Sequence, residues 1–309
     1  MKIIFMGTPD FAVPTLEALI SAGHEITAVY TKPDEEQGRG KKIRFSPVKE
    51  AALSHNIPVY QPKSLKKAEQ VEILRNIEAD VIIVVAYGLI LRKNVLEMKK
   101  YGCINVHASL LPSYRGAAPI QWAVINGEEK SGVTIMQMNE GLDTGDILSV
   151  REIPLDSKET GDSLFEKLSR LGGPLLLETL EKLEKGEITP VPQGETDTMY
   201  AKMLTKEMGN LSFTEDAVTL ERLIRGLNSW PSAYTRLDGK LLKIWEAEVV
   251  KGKENVAPGT VVEVTKRDFT IQCGSGALKV LSLQPEGKKR MDTDAFLRGN
   301  AVTEGTVLG

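Results

Sequence analysis

Cysteine and histidine are both scarce in this chain. The two cysteines among 309 residues, Cys103 and Cys273, lie far apart and lack CxxC spacing. That excludes a disulfide framework and a thiolate zinc site. The three histidines, His24, His55 and His107, are too few for a multi-histidine metal centre, so no metal is expected. No apolar run approaches the ~20 residues of a membrane span. The opening MKIIFMGTPDF passes from a strand pattern straight into a turn, without the apolar core of a signal peptide. The expectation is a cytoplasmic, monomeric protein with no membrane partner. The first strand-to-helix turn lacks the GxGxxG glycines, so a dinucleotide is not supported. No GxSxG is present and Cys103 sits in an apolar strand, so no covalent nucleophile stands out. Charge excess is missing as well. The net charge is −3, with 15 basic against 14 acidic residues over 204–309 and 24 against 28 over 1–203. Any nucleic-acid contact must therefore come from local patches.

What is present reads as two domains, in keeping with the length. Strand patterns at Lys2–Met6, Ile26–Tyr30, Ile57–Tyr60, Asp80–Ala86, Cys103–His107, Val133–Met138 and Ile147–Ile153 alternate with helical patterns. The first helix follows Asp10, a candidate N-cap, and Pro47–Ser54, Leu65–Ile77 and Ala117–Asn126 read as helices too. A long helix over Ser163–Leu183 is expected to be interrupted at Gly172-Gly173-Pro174. The continuous apolar run DVIIVVA (80–86) is the mark of a strand buried on both faces, hence of a mostly parallel, Rossmann-like sheet. Residues 190–205 turn Pro- and Thr-rich and read as a linker between a domain over 1–189 and another over 206–309. In the latter, a helix near 217–227 precedes short alternating strands, which suggest a small β-barrel. Residues 33–46 (PDEEQGRGKKIRFS) form a long polar loop clustering Arg39, Lys41, Lys42 and Arg44. It is either a solvated loop or a clamp for phosphate or RNA backbone.

One stretch carries chemistry. Asn105 and His107 end an apolar run two residues apart, which puts both side chains on one side of a strand end. In open α/β sheets ligands bind beyond such carboxyl ends. Tyr87-Gly88-Leu89-Ile90-Leu91 forms an apolar loop at a neighbouring strand end. Asp143 lies in a glycine-flanked loop (NEGLDTG, 139–145), and Ser109–Gly116 adds Arg115 and backbone donors. An Asn can donate to a developing oxyanion, a His can move a proton, and an Asp can orient the imidazole. With no nucleophile in sight, the set suits direct transfer to an incoming amine.

The string NVHASLLPSYRG (105–116) with a downstream Asp in a DTG turn resembles the folate-dependent formyltransferases. The resemblance implies transfer of a formyl group from 10-formyltetrahydrofolate to an amine. The opening MGTPDFAVP, the QGRGKK loop and LIRGLNSWPSAYT resemble the branch of that family that formylates charged initiator tRNA, so the resemblance spans essentially the whole chain. It implies an OB-like C-terminal domain, a role in translation initiation, and methionyl-initiator tRNA and folate as partners. It further implies that His107 polarises the formyl oxygen or passes a proton to the leaving N10, that Asn105 binds the oxyanion, and that Asp143 holds His107. The pterin would lie against Leu89, Ile90, Leu91, Asn139 and Asp143, with Ser109, Leu110, Leu111 and Pro112 walling the folate. Arg39, Lys41, Lys42 and Arg44 would reach the tRNA acceptor end. Lys288, Lys289 and Arg290, otherwise a solvated turn, would hold the tRNA body. The alternatives are an amino-sugar nucleotide as acceptor, water as acceptor, or an RNA-binding protein without catalysis.

Overall fold

The structure is a computed structural model, and it describes residues 1–37 and 42–309. The chain divides into two compact units. One comprises Met1–Pro119, Lys130–Pro154 and Phe165–Ala201, the other Ile120–Glu129, Leu155–Leu164 and Lys202–Gly309.

The first unit is built on a seven-stranded sheet. In chain order its elements are β1 (Lys2–Gly7), α1 (Val13–Ser21), β2 (Glu25–Tyr30), β3 (Glu35–Gln37), β4 (Lys42–Arg44), α2 (Pro47–Ser54), β5 (Val59–Tyr60), α3 (Ala68–Asn76), β6 (Val81–Val85), α4 (Lys93–Leu96), β7 (Cys103–His107), α5 (Pro119–Ile125), β8 (Lys130–Gln137), β9 (Ile147–Pro154) and α6 (Gly161–Glu184). Only the start of α5 and all but the first turn of α6 belong to this unit. The sheet order is β5-β2-β1-β6-β7-β8-β9. The strands from β5 to β7 run parallel, and β8 and β9 are added antiparallel. The apolar runs of β1 and β6 are buried along nearly their whole length, as strands covered on both faces must be. After β1 the chain builds toward β5, then returns to place β6 and β7 on the other side. That reversal creates the crevice beyond the carboxyl ends where such sheets take ligands.

Three local expectations are corrected. Asp10 does not cap α1. Its Oδ1 accepts from the N–H of Phe11 at 3.0 Å within a 3-10 turn over Asp10–Ala12, and the helix starts after that turn. Helix α6 is not interrupted: it runs unbroken through Pro174. The glycines before it serve close packing, since a Cβ on Gly172 would meet Val106 at 2.9 Å and one on Gly173 would meet Ala18 at 2.7 Å. The 33–46 loop contains secondary structure, because β3 and β4 pair as an antiparallel hairpin. A polar clamp closes the base of that hairpin. Lys49 Nζ donates to Asp34 Oδ2 at 2.5 Å and to Gln61 Oε1 at 2.9 Å, while Gln61 Nε2 donates to Asp34 Oδ1 at 2.8 Å. Ser46, hydrogen-bonded to Thr31 at 2.7 Å, caps α2 by accepting from the N–H of Lys49 at 3.1 Å.

The second unit adds α7 (Ala217–Gly226), β10 (Ala233–Leu237), β11 (Lys240–Val250), β12 (Val261–Val264), β13 (Phe269–Gln272), β14 (Ala277–Pro285), β15 (Met291–Asp292) and α8 (Thr293–Leu297). Its antiparallel sheet follows the path β10-β11-β14-β13-β12, with β15 also on β14. Among the described strands no pair joins the two ends of that path, which is the partly open form of an OB-like barrel. One apolar cluster fills it, drawing Leu220 and Ile224 from α7, Ile244 from β11, Phe269 and Ile271 from β13 and Leu283 from β14. No helix among the described residues is long and apolar enough to cross a membrane.

The clamp at the hairpin base carries a pH signature. Its hydrogen bonds from Lys49 and Gln61, and then the Lys49 charge, hold the Asp34 carboxyl below the ordinary aspartate range. A group held low in the folded state contributes stability above its unfolded pKa and loses it as pH falls through the lowered value. The expected result is that Asp34→Asn is less stable than the parent at neutral pH. The two acid-unfolding curves should converge below about pH 4, the unperturbed aspartate value.

Candidate active site

The site starts at the carboxyl end of β7, where Asn105 and His107 alternate with the core residues Ile104 and Val106. Val84 pairs with Asn105 on the parallel side. On the antiparallel side Met136 pairs with Asn105 and Thr134 with His107. Thr134 lies wholly buried and ties down the turn that follows. Its hydroxyl donates to the carbonyl of Ser109 at 2.7 Å and accepts from the N–H of Leu111 at 3.1 Å. Ser109 Oγ in turn donates to the carbonyl of Ser113 at 2.7 Å. The loop 109–116 is thereby folded back onto the strand end. His107, only 6% exposed, donates from Nε2 to the carbonyl of Tyr114 at 3.2 Å. A carbonyl can only accept, so Nε2 carries the hydrogen and Nδ1 is the nitrogen left to exchange a proton.

Asp143 comes from the loop between β8 and β9. Asn139 shapes that loop by accepting from the N–H of Gly141 at 3.0 Å and the hydroxyl of Thr144 at 2.9 Å. Asp143 itself takes a left-handed backbone, φ 53°. Its Oδ2 accepts from the N–H of Gly116 at 2.9 Å and stands 3.8 Å from His107 Nδ1. Ala86, just after β6, and Tyr114 also have positive φ, at 47° and 58°. Non-glycine residues in this conformation are uncommon, and such strain collects at functional sites.

Residues 191–201, expected to lie in a linker, contribute to this site. Val191 pairs with Ile147, and the N–H of Ala201 donates to the carbonyl of Arg115 at 2.8 Å. Gln193 touches both loops of the site, accepting from Arg115 and donating to the carbonyls of Asp143 and Gly145. The Tyr200 ring stands over Gly116. Burial first, and then the Asp143 charge, push its phenol above the ordinary value. Sequence reasoning missed Gln193 and Tyr200. Nothing in the Pro- and Thr-rich composition around them marks a functional segment.

The remaining expected residues are spread widely. Leu91 is buried in the core with Leu89 packed against it, while Ile90 is 82% exposed beyond β6. In the Asp143 loop Leu142 is 59% exposed. Leu111 is buried, Leu110 and Pro112 are partly so, and Asn139 is exposed. Arg39 and Lys41 lie outside the described residues, and of Lys42 only the backbone, in β4, is described. Arg44 ends that strand, exposed. Lys288, Lys289 and Arg290 are exposed in the second unit. Arg290 stacks 5.3 Å from the centre of the Trp245 ring, on which Lys243 also rests at 5.7 Å. Trp245 donates to Gln284 Oε1 at 3.2 Å. Its place on the outer face of β11, between core residues Ile244 and Ala247, is hidden in the sequence by the irregular register there. Cys103 and Cys273 are buried and in no disulfide, and burial pushes their thiols up to about 12 and about 11.

Comparison with known proteins decides the family. The family model for formyl transferase matches residues 1–180, and that for the formyl transferase C-terminal domain matches 203–301. A methionyl-tRNA formyltransferase of Lachnospira eligens is 57% identical over the whole of both chains. The chain belongs to the formyl transferase family. Solved structures agree on the fold. An N-formyltransferase from Helicobacter canadensis, in complex with folinic acid and dTDP-3-aminofucose, superposes with a TM-score of 0.68 at 19% identity, covering 92% of this chain and 99% of that one. HypX from Aquifex aeolicus, in complex with tetrahydrofolic acid, gives 0.60 at 19% identity. The match covers 99% of this chain but only about half, 50%, of HypX. As a formyl transferase, this chain depends on a close approach at Gly116. With φ at 127°, a Cβ there would meet the carbonyl of Ala201 at 2.6 Å and the Tyr200 ring at 2.8 Å. Gly116→Ala is expected to destabilise the fold by about 1–3 kcal/mol, the usual cost of overpacking. It should also lower formyl-transfer kcat at least tenfold or so through misplacement of Asp143. Urea unfolding and steady-state kinetics check the two parts.

Proposed function

We propose that this chain transfers the formyl group of 10-formyltetrahydrofolate to the free amine of methionyl-initiator tRNA, in support of translation initiation. The full-length identity to methionyl-tRNA formyltransferases supports the acceptor. The observation that carries the chemistry is the Asp143 carboxylate, held by the N–H of Gly116 and 3.8 Å from His107 Nδ1, beside Asn105 on the same strand. The domain division follows: residues 1–189 carry the catalytic residues, 190–205 connect while lending Gln193 and Tyr200 to the site, and 206–309 hold the tRNA. The enzyme works in the cytoplasm as a monomer. Light scattering of the purified chain tests the second point.

In this reading the neutral methionyl amine attacks the formyl carbon, and Asn105 donates to the oxyanion that forms there. His107 takes the proton released by the amine at Nδ1 and returns it to N10 as the C–N bond breaks, with Asp143 as the adjoining station. Asn105→Ala and His107→Ala are each expected to lower kcat by ~10²–10³, as for loss of one oxyanion donor or one general acid–base. The folate lies against exposed Ile90 and Leu142, with Leu89, Leu91 and Asn139 supporting these loops. Leu110, Leu111 and Pro112 form its wall, and Ser109 holds that wall in shape. A rate assay offering methionyl-initiator tRNA, an amino-sugar nucleotide, or no acceptor tests the reading. Formylation of the tRNA alone supports it. Preference for the nucleotide, or release of formate without acceptor, overturns it.

Arg39, Lys41, Lys42 and Arg44 meet the acceptor end, and Lys42 and Arg44 belong to β4 of the hairpin whose base Asp34 and Lys49 clamp. Lys288, Lys289 and Arg290 meet the tRNA body, and Trp245, flanked by two cations, adds an aromatic surface suited to a base or ribose. Charge reversal at Arg39, Lys41 and Lys42 should abolish most tRNA affinity. Each cation removed from 288–290 should lower the slope of log affinity against log salt by about one. Trp245→Ala should raise KM for tRNA about fivefold or more, the loss of one stacking contact, with KM for the folate unchanged.

A further inference from the structure

We infer that Gln193 is a positioning residue for formyl transfer, holding Asp143 in register with His107. The inference rests on the reading of the site given above. The arrangement begins with Arg115, whose guanidinium can only donate. Its Nε and Nη2 both reach Gln193 Oε1, at 3.0 and 2.8 Å, and Nη2 also reaches the carbonyl of Gly194 at 3.3 Å. This settles which end of the amide is oxygen. The nitrogen end is thereby aimed at the Asp143 loop, where Nε2 donates to the carbonyl of Asp143 at 2.9 Å and to that of Gly145 at 2.7 Å. Gln193 is anchored two residues earlier, where Val191 and Ile147 exchange backbone hydrogen bonds at 2.8 and 2.9 Å.

The result is a closed ring of hydrogen bonds. The Asp143 side chain is held by the peptide N–H of Gly116, and its own carbonyl is held by Gln193. Gln193 is held by Arg115, and Arg115 is the residue bonded covalently to Gly116. The carboxylate is therefore fixed from both ends in a backbone conformation, φ 53°, that an L residue seldom adopts unaided. Its Oδ2 accepts from Gly116 N and stands 3.8 Å from His107 Nδ1. Rotating the 143–145 segment would lose both at once. Gln193 touches no reacting atom, and its effect passes through Asp143.

The test compares Gln193→Met, which keeps the length of the side chain but none of its hydrogen bonds, with Gln193→Glu. The Glu variant keeps an acceptor for Arg115 and turns the donor into a second acceptor facing two carbonyls. Formylation of methionyl-initiator tRNA with 10-formyltetrahydrofolate should lose about 10- to 100-fold in kcat in both variants, the scale of a misplaced catalytic group. KM for each substrate should stay within about twofold, since no binding contact is removed. The imidazole ¹⁵N shifts offer a readout independent of turnover, because the chain has three histidines. The His107 signals should change in both variants while those of His24 and His55 stay in place. An unchanged kcat in the Glu variant, a loss confined to KM, or equal movement of all three histidines would overturn the inference. If Gln193→Met does not fold, by circular dichroism, the Glu variant decides. Should the parent enzyme fail to formylate the tRNA, the proposed acceptor falls, and the His107 shifts still decide whether Gln193 holds the pair.

Discussion

A single backbone hydrogen bond, from the N–H of Gly116 to the carboxylate of Asp143, joins the two loops on which the site depends. One loop leaves β7 and the other connects β8 to β9, so the bond can form only because β7 and β8 are paired neighbours. An added antiparallel strand at that edge brings the β8 carboxyl end near the β7 amino end, and a folded-back loop must then cover the distance. Thr134 anchors that loop from within the sheet. The lack of a side chain at Gly116 lets the Ala201 carbonyl and Tyr200 ring close over it. Each of these features bears on the 3.8 Å spacing between the acid and the imidazole.

The burial pattern follows from the same constraint. His107 and Asp143 are largely screened from water, which strengthens every polar contact between them relative to a surface pair. The same screening makes unsatisfied groups costly. Accordingly the hydroxyls of Ser109 and Thr134 are spent on backbone carbonyls. Two of the side chains left exposed around the crevice, Ile90 and Leu142, are apolar and suit a flat ligand.

Much of this could be read in the sequence. The unbroken apolar run of β6 and the two-residue spacing of Asn105 and His107 are local signals, and local signals survive without coordinates. Asp143 was legible because its glycine-flanked loop has a composition of its own. The errors share a cause, which is tertiary override of local preference. Gly172-Gly173-Pro174 looks like a helix break until Val106 and Ala18 are seen pressing against it. Strand β10 has a local signal of its own: Asp238 and Gly239 both take positive φ in the turn that pairs it with β11, a recognised hairpin signature. Gln193 and Tyr200 could not have been found, since their partners are 48 to 84 residues away in sequence and their own surroundings resemble a tether.

The two cysteines offer something apart from catalysis. Cys103 sits in the apolar cluster beside β6, and Cys273 in the cluster that fills the barrel, so each compact unit holds one thiol in its interior. Burial keeps both protonated in the native state, and a thiol reagent can reach either one only when the strands over it part. The time course of alkylation at each site is therefore a clock for the opening of its own unit. The native chain thus carries, without any engineering, a pair of independent reporters on how its two halves breathe.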